Sequence, residues 1–183
     1  MAEYELVRQI RNQCPNNQMR DVFFEEVETD DPEGYVRSLL KGKDVVAGIV
    51  YNPYLDELFS ATKGQGAFCN GEKISVSSQP MGKALVLFGT SLYDKDLFPK
   101  TIEVLSKYFN QALDIRRSGS AALDLCTVAC GRAELYFELQ VSPWDFAAGK
   151  LIVEEAGGVV TTIDGEPLSF DGKTTILAKN NVI

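Results

Sequence analysis

The sequence predicts an α+β chain, an antiparallel sheet packed beside an α/β lobe, and three observations predict it. In the first half, short extended segments are separated by the turn-formers Asn52-Pro53, Gly64-Gln65-Gly66 and Asn70-Gly71, which suits an antiparallel meander. From Ala84 onward, strand-like runs alternate with helical ones, the pattern of an α/β layer. Between the two halves, Ser75 to Lys83 is polar and carries Pro80 and Gly82, which marks a junction. The expected division is an antiparallel lobe over 1–80 and an α/β lobe over 81–183, packed as one compact unit.

Each element follows from local pattern. Leu6, Val7 and Ile10 at helical spacing predict a short helix from Tyr4 to Arg11, ended by Pro15-Asn16-Asn17. Val22 to Val27 reads as a strand, followed by the acidic run Glu28 to Gly34 and a second strand from Tyr35 to Leu40. Asp44 to Tyr51 and Glu57 to Lys63 are strands, and Gly64-Gln65-Gly66 leads into Ala67-Phe68-Cys69. Beyond the junction, strands are expected at Ala84 to Phe88, Asp114 to Arg117, Leu135 to Leu139, Val159 to Ile163 and Thr175 to Ala178. Helices are expected at Phe98 to Phe109, Ala121 to Cys130 and Trp144 to Ala156, the last closed by Gly157-Gly158.

Composition narrows the function classes. The chain has 183 residues, 45% of them hydrophobic, enough to bury a real core. A formal charge of −8 argues against general affinity for nucleic acid or anionic lipid, so a phosphorylated ligand needs a local positive centre such as metal ions. No stretch reaches the roughly 20 apolar residues of a membrane span, and the acidic start Met1-Ala2-Glu3-Tyr4-Glu5 differs from a leader; a cytoplasmic protein is expected. Cys14, Cys69, Cys126 and Cys130 form no Cys-x-x-Cys pair and are expected as reduced, mostly buried thiols. The sequence has no histidine, which excludes Ser-His and Cys-His nucleophilic sites and His-based zinc sites.

Three places could carry chemistry. Gly119-Ser120-Ala121-Ala122 stands at the start of a helix, behind Arg116 and Arg117. Free amides there make a ledge for an anion or hydroxyl, although Ser120 as a simple helix cap explains the same pattern. Glu138 lies near the end of an alternating strand, and Asp145 falls in the first turn of the helix that follows Ser142-Pro143, where the dipole favours a negative charge. The acidic run Glu25, Glu26, Glu28, Asp30, Asp31 and Glu33 is either a solvated hairpin or a source of metal ligands.

Taken together, these segments resemble the inositol monophosphatase family of Mg²⁺-dependent phosphatases. The resemblance runs from Gly48-Ile49-Val50-Tyr51-Asn52-Pro53 through Gly64-Gln65-Gly66-Ala67-Phe68-Cys69-Asn70-Gly71 and Arg117-Ser118-Gly119-Ser120-Ala121-Ala122. It continues through Tyr136-Phe137-Glu138 and Trp144-Asp145-Phe146-Ala147-Ala148-Gly149 to Glu155-Ala156-Gly157-Gly158. It implies a layered αβαβα sandwich, a homo-oligomer, and hydrolysis of phosphate monoesters of inositol or a related sugar. It also implies that Asp145 binds Mg²⁺ next to the leaving-group oxygen and that Gly119, Ser120, Ala121 and Glu138 contact substrate. In the family, one metal activates water and another stabilises the leaving oxygen.

The departure from the family pattern lies before Gly48, where the segment is too short for the family's two helices and first metal-binding motifs. Phe24-Glu25-Glu26 faintly resembles one of those motifs and Asp31-Pro32-Glu33-Gly34 another. Two expectations follow. In a compact phosphatase, Glu25 or Glu26, together with Asp31 and with Glu33 as a further candidate, would replace the missing ligands beside Asp145, with Glu26 and Asp31 taken as the metal-binding and water-activating pair. In a shortened, non-catalytic relative, the fold and ledge would bind a small phosphorylated polyol or sugar, or serve a partner.

Overall fold

A computed structural model describes the backbone of residues 8–9 and 20–23, and residues 45–91 and 94–183 in full. The turn chemistry of the first half yields a six-stranded antiparallel sheet in sequence order. Its strands are β1 (Arg8–Gln9), β2 (Arg20–Phe23), β3 (Ala47–Asn52), β4 (Glu57–Thr62), β5 (Gly66–Cys69) and β6 (Glu72–Ile74). Asn70 adopts φ 51° and Gly71 φ 81°, as a tight β5–β6 hairpin requires. The helix expected over Tyr4 to Arg11 is not formed at Arg8 and Gln9, which pair with Phe23 and Val22. So short an amphipathic segment is a marginal helix, and a neighbouring strand satisfies its backbone instead. The strand expected over Tyr35 to Leu40, the acidic run from Glu25 to Glu33 and Cys14 lie outside the described residues.

The second half folds as the alternation predicts. Its sheet runs in the order β10-β11-β9-β7-β8, with β7 (Leu85–Phe88), β8 (Asp114–Arg116), β9 (Leu135–Val141), β10 (Val159–Thr161) and β11 (Thr174–Lys179). Strand β7 lies parallel to both β8 and β9, whereas β11 runs antiparallel to β9 and β10. Three helices accompany it: α1 (Phe98–Phe109), α2 (Ala121–Ala129) and α3 (Pro143–Glu155). Among the described residues none is long and apolar enough to cross a membrane.

The layers follow from the faces these elements bury. Val50, Phe59, Ala61 and Ala67 of the antiparallel sheet form one buried cluster with Leu125 and Val128 of α2, Phe146 and Ile152 of α3, and Tyr136 and Ile176 of the mixed sheet. Helices α2 and α3 therefore sit between the sheets. On the far side, Val86, Leu135 and Phe137 pack against Val104, Leu105 and Tyr108 of α1, with the Tyr108 and Phe137 ring centroids 5.5 Å apart. Strand β9 is thus covered on both faces, and its alternation sends Leu135 and Phe137 toward α1 and Tyr136 toward the helix pair.

Helix α3 is held closely on two sides. A Cβ at Gly149 would lie 2.6 Å from Leu125 Cδ1 of α2, and one at Gly48 of β3 would lie 2.9 Å from the Ala148 carbonyl oxygen. The small residues of Ala147-Ala148-Gly149 thus let α3 wedge between β3 and α2, which sets where its first turn projects.

Candidate active site

The described candidate residues come from the starts of α2 and α3 and from β9. At α2, Gly119 adopts φ 96°, a conformation that glycine takes without strain. Ser120 is extended (φ −136°), and its hydroxyl accepts from Leu123 N at 3.4 Å, so the cap expected from sequence is present. The approach to the helix is fixed by Ser118, whose hydroxyl accepts from Ser120 N at 3.2 Å and donates to Asp124. Asp124 itself is only 2% exposed. Burial pushes its carboxyl up to about 7, reinforced by the charge of Glu138 and opposed by the Ser118 hydroxyl and the Arg117 guanidinium.

Glu138 shares the inward face of β9 with Tyr136. Tyr136 Oη donates to Oε2 at 2.7 Å, and Ser91 N donates to Oε1 at 2.8 Å. Burial raises the Glu138 carboxyl and the charge of Asp145 adds to that; the donors Tyr136 and Ser91 act the other way. Gly89, directly after β7, makes room for the carboxylate, since a Cβ there would lie 1.9 Å from Oε2.

Asp145 occupies the first turn of α3. Pro143 starts the helix without a wasted amide, and Asp145 Oδ2 accepts from Ser142 N at 2.8 Å, half of a capping box. Its other oxygen, Oδ1, takes no hydrogen bond among the described residues. Burial raises this carboxyl too, while the Ser142 amide and the charge of Lys173 counter it.

The fold therefore links Asp124, Glu138 and Asp145 electrostatically, with the Arg117 guanidinium acting on the first two. The fully buried Tyr136 hydroxyl is raised well above its ordinary range by burial and by all three carboxylates. Glu26 and Asp31, the other expected ligands, lie outside the described residues. Among the described residues no three His, Cys, Asp or Glu side chains could hold a metal ion together. At the start of α3, Asp145 Oδ1 is a hard oxygen with no protein partner among the described residues, a suitable donor type for Mg²⁺. Among the described residues, Cys69, Cys126 and Cys130 form no disulfide, with Cys126 buried and the other two partly so.

Sequence pattern passed over Tyr136, Gly89, Ser91, Ser118 and Asp124. The signal for Tyr136 was present, because residues two apart on a strand share a face. Gly89 and Ser91 gave none, since their place beside Glu138 depends on β7 lying next to β9.

Comparison with known proteins agrees with this architecture. The model of the inositol monophosphatase family matches residues 38–183. The chain is 44% identical over 127 residues to the Nus factor SuhB of Escherichia coli (strain K12), covering 69% of this chain and 47% of that protein. It is 46% identical over 143 residues to inositol monophosphatase 2 of Solanum lycopersicum, covering 76% of this chain and 53% of that one. The chain thus spans about half the length of these curated relatives. Among solved structures, an inositol monophosphatase from Anabaena (Nostoc) sp. PCC 7120 superposes with a TM-score of 0.75 at 35% identity, over 90% of this chain and 60% of that one. With its motifs, its two sheets around a helix pair and a family match over most of its length, the chain belongs to the inositol monophosphatase family.

Proposed function

We propose that this protein hydrolyses a phosphate monoester of inositol or a related sugar with Mg²⁺. The observation that carries the proposal is Asp145: a half-buried carboxylate pinned through one oxygen to the helix start, with the other oxygen unpartnered among the described residues. Beside it, the Gly119–Ala121 ledge presents the beginning of α2 to an anion or hydroxyl, and Glu138 offers acceptor capacity to a substrate hydroxyl. Glu26 and Asp31 are proposed to complete the ligand set and to position the attacking water. Bound Mg²⁺ would supply the charge stabilisation that phosphoryl transfer needs. Asp145 holds and orients the cation, while Glu138 and the ledge hold the polyol.

Support comes from family membership and from relatives that carry the name inositol monophosphatase. A second role, as a binding or partner subunit, stands beside it because other relatives carry the name Nus factor, which names no hydrolysis. Self-association belongs to the same proposal, because Phe98, Ile102 and Phe109 are exposed along α1 and a second copy would cover them. The test is phosphate release from myo-inositol monophosphate with Mg²⁺ supplied. Turnover that Asp145→Asn abolishes is expected; absence of turnover across a panel of polyol and sugar monophosphates would reject hydrolysis.

A further inference from the structure

Both oxygens of the Glu138 carboxylate are anchored by the protein, through donors from different elements. Tyr136 reaches Oε2 from two residues earlier on the same strand, and Tyr136 is 0% exposed, so the packed core fixes its hydroxyl. Ser91 reaches Oε1 with its backbone amide from the segment after β7. That segment is shaped for the task. Gly89 N donates to the Phe137 carbonyl at 3.0 Å, keeping the chain against β9 beyond the end of β7. Gly89 leaves the space that the carboxylate fills.

Ser91 adopts φ 48°, an uncommon and costly conformation for a non-glycine residue. The Ser91 hydroxyl and that of Thr90 are buried without a hydrogen-bond partner among the described residues. The Ser91 backbone is held instead, at the carbonyl by Asp94 N, which donates to it at 2.9 Å, and at the amide by the bond to Glu138.

An ionised carboxylate has about four acceptor positions. One on each oxygen is used here, and the remaining ones can accept but not donate. A ligand that brings a hydroxyl donor completes the set; one that brings an acceptor or an apolar group leaves a desolvated carboxylate oxygen unpaired. We propose that Tyr136 and Ser91 are positioning residues that fix Glu138 as an acceptor-only reader of a substrate hydroxyl, making the site selective for polyol phosphates. This rests on the assignment of Glu138 to substrate made above.

The test uses the full chain with Mg²⁺ and two substrates: myo-inositol monophosphate, and 4-nitrophenyl phosphate, which has no alcohol hydroxyl to offer. Tyr136→Phe should raise KM for the inositol ester about tenfold with kcat held within about twofold, and leave both constants for the nitrophenyl ester within about twofold. Equal losses on both substrates, or no change on either, would overturn the proposal. Gly89→Ala displaces the carboxylate by a different route and should give the same split, so a folding failure of either variant leaves the other to decide. If the wild-type chain hydrolyses neither ester, the hydrolytic function fails separately, and calorimetry with free myo-inositol decides instead. Binding that Tyr136→Phe weakens about tenfold supports the proposal; absent or unaffected binding refutes it.

Discussion

Glu138 and Asp145 are half-buried carboxylates seven residues apart, joined by one turn between β9 and α3, and the protein holds them in opposite ways. Glu138 is gripped at both oxygens by the Tyr136 hydroxyl and the Ser91 amide. Asp145 is gripped at one, by the Ser142 amide, and its second oxygen has no partner among the described residues. Burial raises both carboxyls. What separates them is spare capacity. A group fixed at both ends suits recognition of a neutral donor in one geometry, whereas a group fixed at one end retains an anionic oxygen for a cation. The difference teaches that, on the proposed assignment, the two carboxylates share burial and are told apart by the protein donors already bound to each.

The largest expected effect comes from exchanging the two. Asp145→Asn keeps an acceptor for the Ser142 amide but loses the charge, so phosphate release should fall by about a thousandfold or more, as when a preorganised electrostatic group is lost. Titration of Mg²⁺ should show weakened binding in that variant. Glu138→Gln should weaken polyol binding while leaving Mg²⁺ affinity within about twofold. If Glu138→Gln removes metal binding as strongly as Asp145→Asn does, the contrast between the two carboxylates collapses.

Asp124 gives the next effect, on stability rather than turnover. Its ordinary value is 3.8 and the fold raises it to about 7, so the folded chain prefers the protonated form and holds more protons than the unfolded chain between those values. The associated stability is complete below the lower value, declines as pH rises through the window, and is lost above about 7. Denaturant titration of Asp124→Asn, which mimics the neutral acid, should show a flatter pH profile. At pH ~8 it should show a gain on the order of 3 kcal/mol over the wild type. An unchanged profile would mean that Asp124 does not set this slope.

The smallest effect tests whether the two carboxylates are positioned independently. Gly149→Ala forces a methyl against Leu125 and should cost about 1–3 kcal/mol by thermal or denaturant unfolding. It should also disturb Mg²⁺ binding at the start of α3 more than polyol binding at β9. Equal disturbance of both would show that α3 and β9 move as one.

Much of the fold was legible because its signals are local. The span from Phe98 to Phe109 was readable as a helix from its pattern alone, and the β4, β5, β7 and β9 strands fall where alternation and turn residues put them. Arg8–Gln9 was misread because its helical spacing is only an eight-residue pattern, and cross-strand pairing outweighs so short a helix. At the site, Ser120 and Asp145 were readable as helix-start residues, since capping depends on neighbours within three positions.

The sequence by itself determined the family, the strand and helix periods and which acidic residues begin or end elements, because those depend on residues adjacent in the chain. Only the tertiary structure decided that Glu138 is held at both oxygens and Asp145 at one. The Ser91 amide reaches Glu138 across 47 positions of sequence, through the parallel pairing of β7 with β9. Contacts between distant segments are set by packing of whole layers, and local periodicity carries no record of them.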